Sequence, residues 1–122
     1  MRDAPGATDD QLKLFHTSQH VAKVFAACAK AEGKKRTVNL DGDTSVMKGS
    51  AEAARRACGA ACSAVEAVCE GRASSAFCAV RPPGHHAEPN EPMGFCLFGN
   101  AGIAALHAKA KYGLERVAVV DW

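Results

Sequence analysis

Ala76-Phe77-Cys78-Ala79-Val80-Arg81-Pro82-Pro83-Gly84-His85-His86-Ala87 is the stretch that decides the fold. Its first five residues form a continuous apolar run, the pattern of a strand covered on both faces. Arg81-Pro82-Pro83-Gly84 ends that run abruptly, because proline supplies no backbone donor and glycine accepts conformations closed to other residues. Further on, residues from about Phe98 to Lys111 read as a helix closed by Gly113, and Val117-Ala118-Val119-Val120 is a second apolar run reaching Asp121. Strand, loop, helix, strand in this order is a βαβ unit, whose strands are expected to lie parallel with a right-handed crossover. Ligand sites in open α/β sheets gather at the carboxyl ends of strands. Those ends carry His85 and His86 on one side and Asp121 on the other.

Toward the N-terminus, residues 1 to about 7 read as a flexible start. Thr8 and Gln11 have the spacing of a capping box, which predicts a short helix through Leu12, Leu14 and Phe15. A second helix is expected from Thr17 or Ser18 to about Gly33, with Val21, Val24, Phe25 and Cys28 on one side. Thr37 to Ser50 is rich in turn formers, with Asp41-Gly42-Asp43-Thr44 as the tightest of them. Ser50 is the expected N-cap of an alanine-rich helix running to about Glu70.

The 122 residues suffice for one domain, and 48% of them are apolar, enough for a packed core. A net charge of +2, with Lys and Arg scattered, leaves no electrostatic footprint of a nucleic-acid or membrane-surface binder. Lys34-Lys35-Arg36 reads as a solvated loop. No apolar run approaches a membrane span, and MRDAPGATDD lacks the apolar segment of a secretory signal, so an intracellular protein is expected, in nucleus or cytoplasm. The six cysteines show no paired CxxC spacing. Cys58, Cys62, Val65 and Cys69 share one helical face, which predicts buried thiols rather than a metal or disulfide framework.

A His-His pair alone is usually packing or surface. Opposite a carboxylate it becomes an imidazole–carboxylate dyad, in which the Asp fixes the tautomer and raises basicity. His16 and His20, four residues apart, have no convincing third ligand nearby and read as structural or exposed, not as a metal site.

Three segments, Arg81 to Ala87 (RPPGHHA), Met93 to Phe98 (MGFCLF) and Val117 to Trp122 (VAVVDW), resemble the first half of the histone deacetylase and acetylpolyamine amidohydrolase family, in its class II-like branch. Weaker similarity runs upstream over most of the chain. The resemblance implies the three-layer α/β arginase/deacetylase fold around a parallel sheet, of which only the first part is present as residues 1–122 of the catalytic domain. It implies that His85 pairs with a buried carboxylate, Asp121, and that His86 is the general base and then the acid for the leaving amine. Gly94 would accept the substrate amide N–H through its carbonyl, Phe95 would wall the acyl-lysine tunnel, and Asp43 near the rim would contact substrate.

The family's zinc ligands follow the Asp-Trp pair and are expected to lie beyond this chain. Zinc is therefore expected in a longer parent and not on these residues, and the chain alone is expected to be inactive. The implied substrate is an acetylated lysine protein, a histone or another, or an acetylated polyamine, with a corepressor-type complex as the partner assembly. A second reading, from another class, is a non-catalytic truncated or spliced product that acts as an interaction module or lacks a stable fold. The sequence departs from the family pattern at Gly99, where Asn usually precedes Asn100, and a loosened helix start is expected there. With no later strand beside it, Val117 to Val120 is expected to leave an apolar edge exposed.

Overall fold

Thr8 opens the first helix as its spacing predicts: the Gln11 N–H donates to Thr8 Oγ1 and the Thr8 N–H donates to Gln11 Oε1. The computed structural model describes residues 3–34 and 37–122. In chain order these form α1 (Asp9–Leu12), α2 (Ser18–Lys34), β1 (Val38–Asn39), β2 (Ser45–Val46), α3 (Ser50–Cys69) and α4 (Asn100–Tyr112). Helix α2 starts after Thr17, whose hydroxyl accepts the His20 N–H, and runs one residue past the expected Gly33. Of the basic cluster, Lys34 closes α2, while Lys35 and Arg36 lie outside the described residues.

Ser50 is not the N-cap of α3. Gly49 takes that place at φ 83°, and Ser50 Oγ turns back to accept the Met47 N–H at 2.9 Å. Gly49 in turn donates to Glu32 Oε1 at 2.7 Å, which ties the start of α3 to α2.

Near the start of the chain Ala7 is buried, Asp3, Pro5 and Gly6 are exposed, and Met1 and Arg2 lie outside the described residues. Ala7 exchanges contacts with Arg55, its N–H donating to the Arg55 carbonyl and its own carbonyl accepting from the guanidinium, both at 2.9 Å. Pro5 to Ala7 presses so closely on α3 that a Cβ on Gly59 would meet the Pro5 carbonyl oxygen at 2.0 Å.

Helices α3 and α4 lie side by side and run the same way. Cys58 meets Asn100, Glu66 meets His107, and Glu70 meets Tyr112 in ascending order along both. The core gathers Leu12, Val21, Val24, Cys28, Val46, Cys58, Cys62, Leu97, Phe98 and Ile103. Each large apolar side chain taken fully out of water there contributes about 1.5–3 kcal/mol. Burial pushes the Cys58 thiol up to about 12 and the Cys62 thiol up to about 11, so both are inert packing groups. Cys69 departs from the expected buried face and is exposed. Near that end of α3, Lys111 and Tyr112 of α4 bond Glu66 and Glu70.

The parallel pairing expected of Ala76 to Val80 and Val117 to Val120 is not formed. Among the described residues the one sheet is the antiparallel pair β1–β2, with Val38 opposite Val46 and Asn39 opposite Ser45. A strand exists only through a neighbour's backbone donors and acceptors, and neither apolar segment makes a backbone hydrogen bond to the other. Both are instead open to solvent: Phe77 is 92% exposed, Val120 is 75% exposed and Trp122 is fully exposed. Parallel helices returning through an irregular link still place α3 and α4 as the helical layer of an α/β architecture.

Candidate active site

The histidine pair is held by a close backbone crossing. Asn100 Nδ2 donates to the Pro82 carbonyl at 3.2 Å, and the Ala87 N–H returns to the Gly84 carbonyl at 3.3 Å. Gly84 is required at that crossing, since a Cβ on it would meet the Asn100 nitrogen at 2.5 Å and the Phe98 carbonyl oxygen at 2.8 Å. The ring of His85 emerges facing the chain end, with Nδ1 at 3.0 and 3.1 Å from the two oxygens of Asp121. His86 stacks obliquely on it, ring centroids 4.1 Å apart. Asp121, expected to be buried, is exposed, its side chain 61% accessible, because its apolar neighbours Val119 and Val120 have no cover either.

Beside His86 the chain reverses at Met93–Cys96. The Met93 N–H donates to the Cys96 carbonyl at 3.2 Å and the Cys96 N–H to the Met93 carbonyl at 2.9 Å. The two central residues both have positive φ, 56° at Gly94 and 65° at Phe95, the geometry of a type I′ turn. A phenylalanine there costs about 1–2 kcal/mol relative to its ordinary conformations. Phe95 is 62% exposed. Gly94 fits tightly, because a Cβ would strike the His86 ring at 2.4 Å.

Asp43 reaches this turn from the β1–β2 hairpin. Its Oδ1 accepts the Gly94 N–H at 3.1 Å and the Thr44 hydroxyl at 2.8 Å, while Thr44 Oγ1 accepts the Phe95 N–H at 3.1 Å. The structure thus gathers His85, His86, Asp121, Gly94, Phe95 and Asp43 at one end of the fold. Thr44, absent from the sequence-based candidates, is 1% exposed and belongs with them. Its only signal in the sequence is its place next to Asp43 in a turn.

His16 and His20 are structural, and both are buried. The Gly99 N–H donates to His16 Nε2 at 2.8 Å, which leaves Nδ1 to carry the proton toward the Pro89 carbonyl at 3.2 Å. His20 Nε2 lies 2.9 Å from the Leu97 carbonyl, and the two rings stack at 4.5 Å. Burial, then the neighbouring His20 ring, lowers the His16 pKa from 6.5 to about 4. The two rings therefore hold both ends of the 89–99 loop. The helix start expected to be loosened at Gly99 is instead fixed, with the Phe15 ring seated against Gly99 and Gly102.

Among the described residues, no three His, Cys, Asp or Glu side chains stand together to hold a metal ion. His85 and Asp121 are committed to one another. No helix among the described residues is long and apolar enough to cross a membrane.

Superposition on a solved structure defines the class. The crystal structure of the HDA15 HD domain matches with a TM-score of 0.82 at 37% identity, over 90% of this chain and 30% of that one, which gives the arginase/deacetylase fold. The histone deacetylase domain model matches residues 1–122, and the chain belongs to the histone deacetylase family. The histone deacetylase-like amidohydrolase of Pseudomonas aeruginosa is 42% identical over 122 residues, all of this chain and 31% of that protein. Histone deacetylase 18 of Arabidopsis thaliana is 40% identical over 121 residues, covering 95% of this chain and 18% of its own length. The polyamine deacetylase HDAC10 of Homo sapiens is 38% identical over 119 residues, 95% of this chain and 18% of that protein. The chain therefore spans less than a third of the length of these relatives.

Proposed function

We propose that these residues form the proton-handling and amide-gripping part of an active site that hydrolyses acetyl-lysine, or a related acetylated amine, in a protein of this family. The observation that carries the reading is the contact of His85 Nδ1 with Asp121 at 3.0 Å, across 36 residues of sequence. Asp121 holds the proton of His85 on Nδ1 and orients its ring. His86, stacked on His85, is the general base and then donates the proton to the departing amine. The Gly94 carbonyl accepts the substrate amide N–H, and the Phe95 ring lines the path of the acyl-lysine stem.

In this family zinc supplies Lewis-acid polarisation of the scissile carbonyl and of the attacking water. None of His85, His86, Asp121, Gly94 and Phe95 is assigned to hold it. Histones, other acetylated proteins and acetylated polyamines are the substrate classes, and a corepressor-type assembly is the partner proposed for the protein form of the activity.

The test is His86→Ala in the complete protein. With acetyl-lysine peptide as substrate, kcat falls on the order of 10²–10⁴-fold while zinc content is unchanged. Loss of zinc with rescue by added metal would assign His86 to the metal instead, and undiminished kcat would remove the acid–base role.

A further inference from the structure

The Met93–Cys96 turn adopts a conformation that its own residues disfavour. Turns with positive φ at both central positions select Asn-Gly or Gly-Gly, and this one carries Gly94-Phe95. What holds it lies about 50 residues away. The Gly94 N–H is taken by Asp43 Oδ1 and the Phe95 N–H by Thr44 Oγ1, and the Thr44 hydroxyl proton is given to Asp43 Oδ1. With its proton committed to Asp43, the Thr44 oxygen can only accept from Phe95. Thr44 is itself immobilised, since its carbonyl accepts the N–H groups of Leu40 at 2.8 Å and Asp41 at 3.1 Å, and its side chain is buried. The turn also touches His86 across Gly94, so a displaced turn alters the space beside that ring.

We infer that Thr44 and Asp43 are positioning residues, a two-point clamp that fixes the Gly94 carbonyl and the Phe95 ring where a substrate amide meets them. The inference rests on the reading of this turn as the amide-gripping element.

The experiment uses the complete protein and the variants Thr44→Val and Asp43→Ala, the second at an exposed position that tolerates truncation. Amide hydrogen exchange at Gly94 and Phe95 is measured beside kcat/KM for an acetyl-lysine peptide and for its acetate-ester counterpart, which has no N–H. Each variant is expected to lose protection at its own partner amide and about 10- to 100-fold in kcat/KM on the amide, the scale set by sub-ångström misplacement. A smaller loss is expected on the ester. Thr44→Ser, which keeps the hydroxyl, restores most of the activity. Unchanged amide kcat/KM in both variants, or equal losses on amide and ester, overturns the clamp. If Thr44→Val fails to fold, Asp43→Ala decides the question by the same criteria. A wild-type protein inert toward acetyl-lysine refutes the proposed function instead. The exchange measurement still judges the clamp, since full protection of both amides in the variants overturns it.

Discussion

Acid is expected to loosen this fold through the buried His16 ring. His16 accepts the Gly99 N–H on Nε2 at 2.8 Å, so a proton on that nitrogen replaces a hydrogen bond with two opposed donors. The ring titrates at about 4 in the folded chain against 6.5 ordinarily, because burial disfavours the charged form and the adjacent His20 adds to it. A folded value below the unfolded one means that the unfolded chain takes up the proton first as pH falls. The stabilisation is complete above about pH 6.5, declines through the interval and is gone at about pH 4, a total of about 3 kcal/mol. Glu66 lies below the usual carboxylate range, its hydrogen bonds from Lys111 and His107 being the main causes, so its own contribution is lost only at lower pH.

The assay is urea unfolding at half-unit steps from pH 7 to pH 4, with NMR titration of the His16 ring and exchange of the Gly99 amide alongside. His16→Gln, which cannot titrate, should flatten the stability profile between pH 6.5 and 4.5. A His16 ring that titrates near 6.5, or wild-type stability that stays constant across that interval, would refute the reasoning.

Gly84→Ala forces a methyl against the backbone of Asn100 and Phe98, and should lower stability by about 1–3 kcal/mol in chemical denaturation. Thr8→Ala removes the side-chain half of the α1 capping box and should cost about 1 kcal/mol by the same measurement. The 122-residue chain alone should release no acetate from acetyl-lysine peptide in a chelator-sensitive manner, since the described residues assemble no metal donor set. Chelator-sensitive turnover by that chain would contradict it.

Local interactions were legible in the sequence. The capping box at Thr8 and Gln11 and the left-handed Gly113 at the end of α4 depend on residues within a few positions of one another. The pairing of His85 with Asp121 was reached through the order of the elements and the family resemblance. Ser50 failed as a cap because its hydroxyl is claimed by Met47, while Gly49, which no capping preference favours as strongly, supplies the reversed φ. The apolar runs at 76–80 and 117–120 carry strand chemistry, but a strand also requires a neighbour, and hydropathy cannot name one. Phe95 at positive φ was invisible for a similar reason, since its stabilising acceptor, Thr44, lies 51 residues away.

The Phe15 ring, lodged against Gly99 and Gly102, couples the sizes allowed at positions 15 and 99. A Cβ at 99 would come within 2.7 Å of Phe15 Cε1, so a larger residue there requires the Phe15 ring to move. Across relatives the two positions should covary in size, a large side chain at 15 accompanying glycine at 99 and a small one accompanying asparagine.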